Sequence, residues 1–176
     1  MALKREMREL KAGVTSYSLK SDFFKPDFNT CNRQRAIFPQ GTSLNSPLLQ
    51  QHGLPRRWCI WFLNEFSNAS GHTNEFRNRH EYLIDHTPAY KSEKVHDDDV
   101  KGKIDDAVRL IFSKDNQASP WIFRGGYIFD NSQTQPYPGA SKEWRRVFRR
   151  VLTRVNIEIT NQGKPNEAEY YLNSVE

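Results

Sequence analysis

The sequence predicts an α+β fold: a mostly antiparallel sheet or partly closed barrel with two or three helices. It spans 1–176 as a single domain, with a poorly patterned arm at about 14–50. Three observations lead there. Runs at Trp58–Leu63, Trp121–Asp130 and Val155–Ile159 have the length and the aromatic and β-branched content of strands. Segments 2–12 and 141–154 space their apolar residues at helical intervals. A chain of 176 residues with 11 Phe, 7 Tyr and 4 Trp suits one core of ordinary size.

Residues 2–12 read as a short amphipathic helix: Leu3, Met7 and Leu10 recur at helical spacing and Gly13 is a plausible stop. In 14–50, Pro26, Pro39, Gly41 and Pro47 punctuate a polar stretch, leaving short extended pieces at Val14–Leu19 and Arg35–Phe38. Trp58–Leu63 is apolar on both alternating faces, as in a central strand buried on both sides. A polar loop, Asn64–Asn78, leads to a shorter strand at Glu81–Asp85.

A helix starts near 97–106 with Asp97 or Asp98 as its cap, and 107–113 passes from helix to strand. Asp115–Pro120 is then a hairpin loop into Trp121–Asp130, where Trp121, Phe123, Tyr127 and Phe129 share one face. Gly125 and Gly126 inside that strand indicate a bulge or a close backbone approach. Asn131–Ala140 is a loop, and Ser141 caps a helix whose stripe is Trp144, Val147, Phe148, Val151, Leu152 and Val155. Strict alternation at Val155, Ile157 and Ile159 marks a half-buried strand.

No run approaches the roughly 20 apolar residues of a membrane helix. The N-terminus carries charges with no apolar run behind them, so no secretory leader is expected. Cys31 and Cys59 read as reduced thiols. The expected location is the cytoplasm, or the nucleus in a eukaryote.

The formal net charge is +5, and its distribution is uneven. Lys142, Arg145, Arg146, Arg149, Arg150 and Arg154 face a single acid, Glu143, within 142–154. Glu93, Asp97–Asp99, Asp105 and Asp106 make the middle acidic, and the tail after Asn156 holds four glutamates against Lys164. A helix with an apolar stripe and five arginines outward is built to meet phosphates, because guanidinium carries a fixed charge and a planar fork. The competing reading is a solvated face paired with neighbouring acids. Trp121, Arg124 and Tyr127 in Trp121–Phe129 form either a stacking platform for bases or a core strand with Arg124 on its far face.

Four histidines, His72, His80, His86 and His96, stand near Asp85 and Asp97–Asp99 without the spacing of a metal site. Asp85 and, fourteen residues later, Asp99-Val100-Lys101 look like a PD-(D/E)xK nuclease pattern, in which two acids hold Mg²⁺ and the lysine steadies charge. The match departs from that pattern in lacking a Pro before Asp85 and in placing Asp99–Lys101 in a charged stretch.

The block Val108–Asp115, followed by Pro120–Tyr127, resembles the strand–hairpin–aromatic-Gly unit of PUA-like and other small β-barrel modules attached to bacterial restriction enzymes and helicases. The resemblance covers 20 to 25 residues and implies a partly closed barrel that reads DNA, sometimes through a flipped base. The sequence therefore predicts a nucleic-acid-binding protein, DNA before RNA. Lys142, Arg145, Arg146, Arg149, Arg150 and Arg154 take the phosphates, and Arg124, Trp121 and Tyr127 lie near the bases. The alternatives are a small Mg²⁺-dependent, restriction-type endonuclease using Asp85, Asp99 and Lys101, and a subunit binding an acidic protein. Outside the nuclease reading no metal or cofactor is expected.

Overall fold

Extended strands dominate the described part of this chain. A computed structural model describes residues 3, 5–24, 43–65, 71–102, 106–160 and 169–176. Among the described residues strand far outweighs helix, and the sheets stay open. The predicted α+β class with a partly closed barrel is thereby corrected to a sheet-dominated fold. The expected piece at Arg35–Phe38, and Cys31, lie outside the described residues.

In chain order come β1 (Arg5–Lys11), β2 (Ser16–Tyr17), α1 (Lys20–Phe24), β3 (Leu44–Asn45), α2 (Pro47–Gln51) and β4 (Arg57–Asn64). They are followed by β5 (Thr73–Arg77), β6 (Tyr82–Thr87), α3 (Ala89–Gly102), β7 (Ala107–Lys114) and β8 (Trp121–Phe129). The last three are β9 (Trp144–Leu152), β10 (Arg154–Thr160) and β11 (Glu169–Val175). A small sheet has the order β1-β10-β11; the large one runs β3-β4-β7-β8-β9-β6-β5, with β2 against β8. Only β4 and β7 pair in parallel among the described strands. β5 and β6 lie between them in the chain yet sit at the opposite edge of the sheet.

Two predicted helices are strands. At 2–12, Leu10 is buried while Leu3 and Met7 are half exposed, so no apolar stripe closes on a core. Register pairing with β10 from Arg5 to Lys11 supplies the hydrogen bonds instead. At 141–154 the spacing of Trp144, Phe148 and Leu152 fits two geometries, because residues four apart share a helix face and also a strand face. β9 lies between β8 and β6 and is covered on both sides. Phe148 joins one face, and beyond a register shift against Gly126 and Tyr127 both Val151 and Leu152 pack on the other. Ser141 is no helix cap; it sits in a left-handed turn (φ 64°). The 107–113 segment is strand throughout, and the helix expected at 97–106 begins earlier, at Ala89.

The main core lies between the small sheet and one face of the large one: Leu10, Ile157 and Leu172 meet Ile60, Leu110 and Phe123. A smaller cluster, Leu83, Ile111, Tyr127 and Phe148, covers the other face. Each such side chain, fully buried, contributes about 1.5–3 kcal/mol. β4 serves both clusters, as its two-sided apolarity predicts, with Ile60 and Phe62 in one and Trp61 packed against the other.

The glycine pair in β8 is both bulge and close approach. Pairing with β7 steps from Ile111↔Gly125 to Phe112↔Phe123, skipping Arg124. Gly125 has φ +129°, and a Cβ there would lie 2.5 Å from the Leu152 carbonyl oxygen. The bulge reverses the side-chain alternation. Trp121 and Phe123 enter the main core, while Tyr127 and Phe129 belong to the smaller cluster, so the four do not share one face.

Candidate functional site

As a strand, β9 turns alternate arginines to opposite faces. Arg146 points inward between Trp144 and Phe148 and is 6% exposed. Its guanidinium lies 5.7 Å and 5.4 Å from those ring centroids. Nη1 donates to both carboxylate oxygens of Asp99 at 2.8 Å, and Nη2 donates to Asp85. Asp85 also meets His72 Nε2 at 2.6 Å and accepts from the Thr87 hydroxyl at 3.1 Å.

One guanidinium thus serves two carboxylates, and the two acids diverge. Burial raises both. The His72 hydrogen bond and the Arg146 charge outweigh it at Asp85, whose pKa falls below the usual carboxylate value. At Asp99 burial prevails over Arg146 and the pKa rises. The structure brings Asp85 and Asp99 together, as a nuclease pattern would, but around an arginine. Lys101 is exposed at the end of α3. No group of three or more His, Cys, Asp or Glu side chains suited to a metal occurs among the described residues.

The remaining predicted contacts are distributed widely. Arg124 is buried and bonds Glu65 at 3.0 Å, Asp115 at 2.8 Å and the Ser113 hydroxyl at 2.8 Å. Trp121 and Tyr127 are core residues. Arg150 reaches the Arg124 carbonyl at 3.3 Å, and Arg154 pairs with Glu9 at 2.6 Å. An outward helical ridge of guanidinium groups therefore does not exist. Lys142 and Arg145 have no carboxylate within 4.0 Å among the described residues, and Arg149 is only loosely associated with Asp130 at 3.9 Å.

The sequence reading missed Arg109, buried on β7 with its guanidinium 4.9 Å from the Trp61 ring and 5.2 Å from Phe148. Burial lowers its pKa to about 10. An arginine inside the apolar run Val108–Phe112 was the available signal. Among the histidines, His80 lies 3.5 Å from Glu65 and packs on Phe76, and burial followed by the Arg124 charge lowers its pKa.

Two adjacent clefts open beside β9. One, of about 450 Å³, is lined by His96, Asp99, Phe129, Gln135, Tyr137 and Trp144 among others. The His96 and Tyr137 rings stack at 3.8 Å and 3°, and both meet Trp144 edge-on at 72°. Tyr137 Oη is buried with no hydrogen-bond partner among the described residues. The second cleft, of about 420 Å³, includes Thr73, His86, Glu143 and Arg145 and shares Gln135 and Trp144 with the first.

The loop between the clefts is held rigidly on β9. Asp130 N–H donates to the Val147 carbonyl (2.8 Å), Gln135 N–H to Arg145 (3.1 Å) and Trp144 Nε1 to Gln135 (2.8 Å). Its aromatic wall is set before any ligand arrives, which lowers the ordering cost of binding. None of these loop residues was singled out from the sequence; Pro136, Tyr137 and Pro138 were the only local cue. This chain matches no protein-family model, no curated protein and no solved structure.

Proposed function

We propose that this protein binds nucleic acid, DNA before RNA, by taking an unpaired base into the cleft of His96, Tyr137 and Trp144. The observation that carries the reading is the shared wall: Trp144 borders an aromatic cleft on one side and the Arg145 cleft on the other. A base can stack in the first while its phosphates meet Arg145, Arg149 and Lys142, none of which has a carboxylate closer than 3.9 Å among the described residues. Stacking and backbone charge together are how unpaired strands are held. Asp99 in the aromatic cleft offers an acceptor to exocyclic amino groups. Cleavage is not part of this reading, because Asp85 and Asp99 direct their charge at Arg146.

Fluorescence anisotropy of labelled single-stranded and duplex oligonucleotides, between about 50 and 200 mM salt, tests it. Tyr137→Ala weakens single-strand binding about tenfold, since a stacked base contributes about 1–3 kcal/mol. Arg145→Ala with Arg149→Ala makes the slope of log K against log salt shallower by about 1.4, two single-strand phosphate contacts. Wild-type affinity in Tyr137→Ala, or absence of salt-sensitive binding to any oligonucleotide, overturns the reading.

A further inference from the structure

Lys20, at the start of α1, and Lys114, at the end of β7, converge on one indole. Lys20 Nζ stands 5.0 Å and Lys114 Nζ 4.9 Å from the Trp121 ring centroid, so at most 9.9 Å separates the two ammoniums. Lys20 Nζ also lies 5.3 Å from the Phe62 ring, which meets Trp121 edge-on at 87°. Neither ammonium has a carboxylate within 4.0 Å among the described residues. Asp115, next to Lys114 in sequence, is engaged by Arg124 at 2.8 Å.

Two like charges gathered at one indole disfavour each other until an anion joins them. Burial and the Lys114 charge both lower the Lys20 pKa, the electrostatic mark of that unrelieved pair. The ammonium heads themselves stand over the rings as compact point charges, the form in which lysine binds phosphate.

We propose that Lys20 and Lys114 form a phosphate-binding site beside Trp121. It does not rest on the cleft reading. Trp121 begins β8 and Phe129, which lines the aromatic cleft, ends it, about 26 Å away at roughly 3.3 Å per residue. The phosphate group is either free, as the inorganic ion or a phosphomonoester, or part of a polynucleotide backbone.

Calorimetric titration with sodium phosphate, against sodium chloride at matched ionic strength, tests the site directly. Wild type and Lys20→Arg with Lys114→Arg bind phosphate; Lys20→Met with Lys114→Met loses at least tenfold in affinity and keeps the wild-type thermal midpoint. Equal phosphate affinity in the methionine variant, or no binding by wild type, overturns the site. Tyr137→Ala retains phosphate binding, so failure of the cleft reading leaves this site standing. A second arm with a single-stranded oligonucleotide separates the sources. A salt slope shallower by about 1.4 in the methionine variant assigns a polymer backbone; an unchanged slope beside lost phosphate binding assigns the free ion or a monoester.

Discussion

Arg146 Nη1 stands 2.8 Å from both carboxylate oxygens of Asp99, inside the protein and between two aromatic rings. Its neighbour in the same basic stretch, Arg154, is 44% exposed in its pairing with Glu9. Composition gives these two arginines equal weight; burial does not. Arg146→Met leaves Asp85 and Asp99 without their cation and costs about 3–5 kcal/mol. Arg154→Ala costs less than about 1 kcal/mol. Urea denaturation of the two variants checks the contrast, and similar losses would remove it.

The two acids around Arg146 give opposite pH dependences. Asp85 has a depressed pKa in the fold, so its ionised form stabilises above the ordinary carboxylate range. That contribution is lost as pH falls through the depressed value. Asp99 has a raised pKa, so its charge opposes folding at neutral pH and the opposition is relieved as pH falls through the raised value. Asp85→Asn therefore flattens the acid limb of the stability curve, and Asp99→Asn steepens it. Denaturation midpoints collected from about pH 3 to 7 decide between this and a single shared titration.

Gly125→Ala is expected to cost at least about 3 kcal/mol, from a left-handed backbone position combined with a Cβ 2.5 Å from the Leu152 carbonyl oxygen. Gly139, also at positive φ, has nothing within 4 Å of its would-be Cβ. Gly139→Ala should cost only the backbone term, about 1 kcal/mol. Thermal unfolding of both separates crowding from strain.

Tyr127 reaches from the smaller core to donate its hydroxyl proton to the His80 carbonyl. That carbonyl ends three consecutive left-handed residues, Asn78, Arg79 and His80, with φ of 53°, 55° and 67°. Burial pushes the Tyr127 hydroxyl pKa far up, so it remains a donor at any ordinary pH. Tyr127→Phe removes the only side-chain donor to that carbonyl among the described residues and costs about 1–2 kcal/mol. Faster amide exchange confined to 78–81 is the expected signature; uniform acceleration across the sheet would mean that the turn is held by something else.

What could be read from the residues follows from where one period is unambiguous. Val155, Ile157 and Ile159 allow only a strand, and Trp58–Leu63 is too short and too apolar for anything but a two-sided one. Gly125 and Gly126 disclosed their bulge. The spacing of Trp144, Phe148 and Leu152 satisfies helix and strand alike, and the choice is made by pairing with β8 and with β6, which is distant in sequence. The inward arginines were hidden for the same reason: whether Arg146 meets water or Asp99 depends on α3 crossing that face. The clefts were illegible because their walls come from α3, a loop and a strand at once.

The nesting of β5 and β6 inside the β4–β7 pairing has a consequence for how the protein is made. β6 enters the large sheet only through β9, some sixty residues later. As a chain emerges, Tyr82–Thr87 has just one strand partner, β5, until Trp144–Leu152 has been synthesised, and Asp85 waits that long for Arg146. Pairings of such long span slow folding. Both clefts therefore come into being late and together, so a nascent or truncated form ending before Leu152 cannot act as a partly working version of the whole.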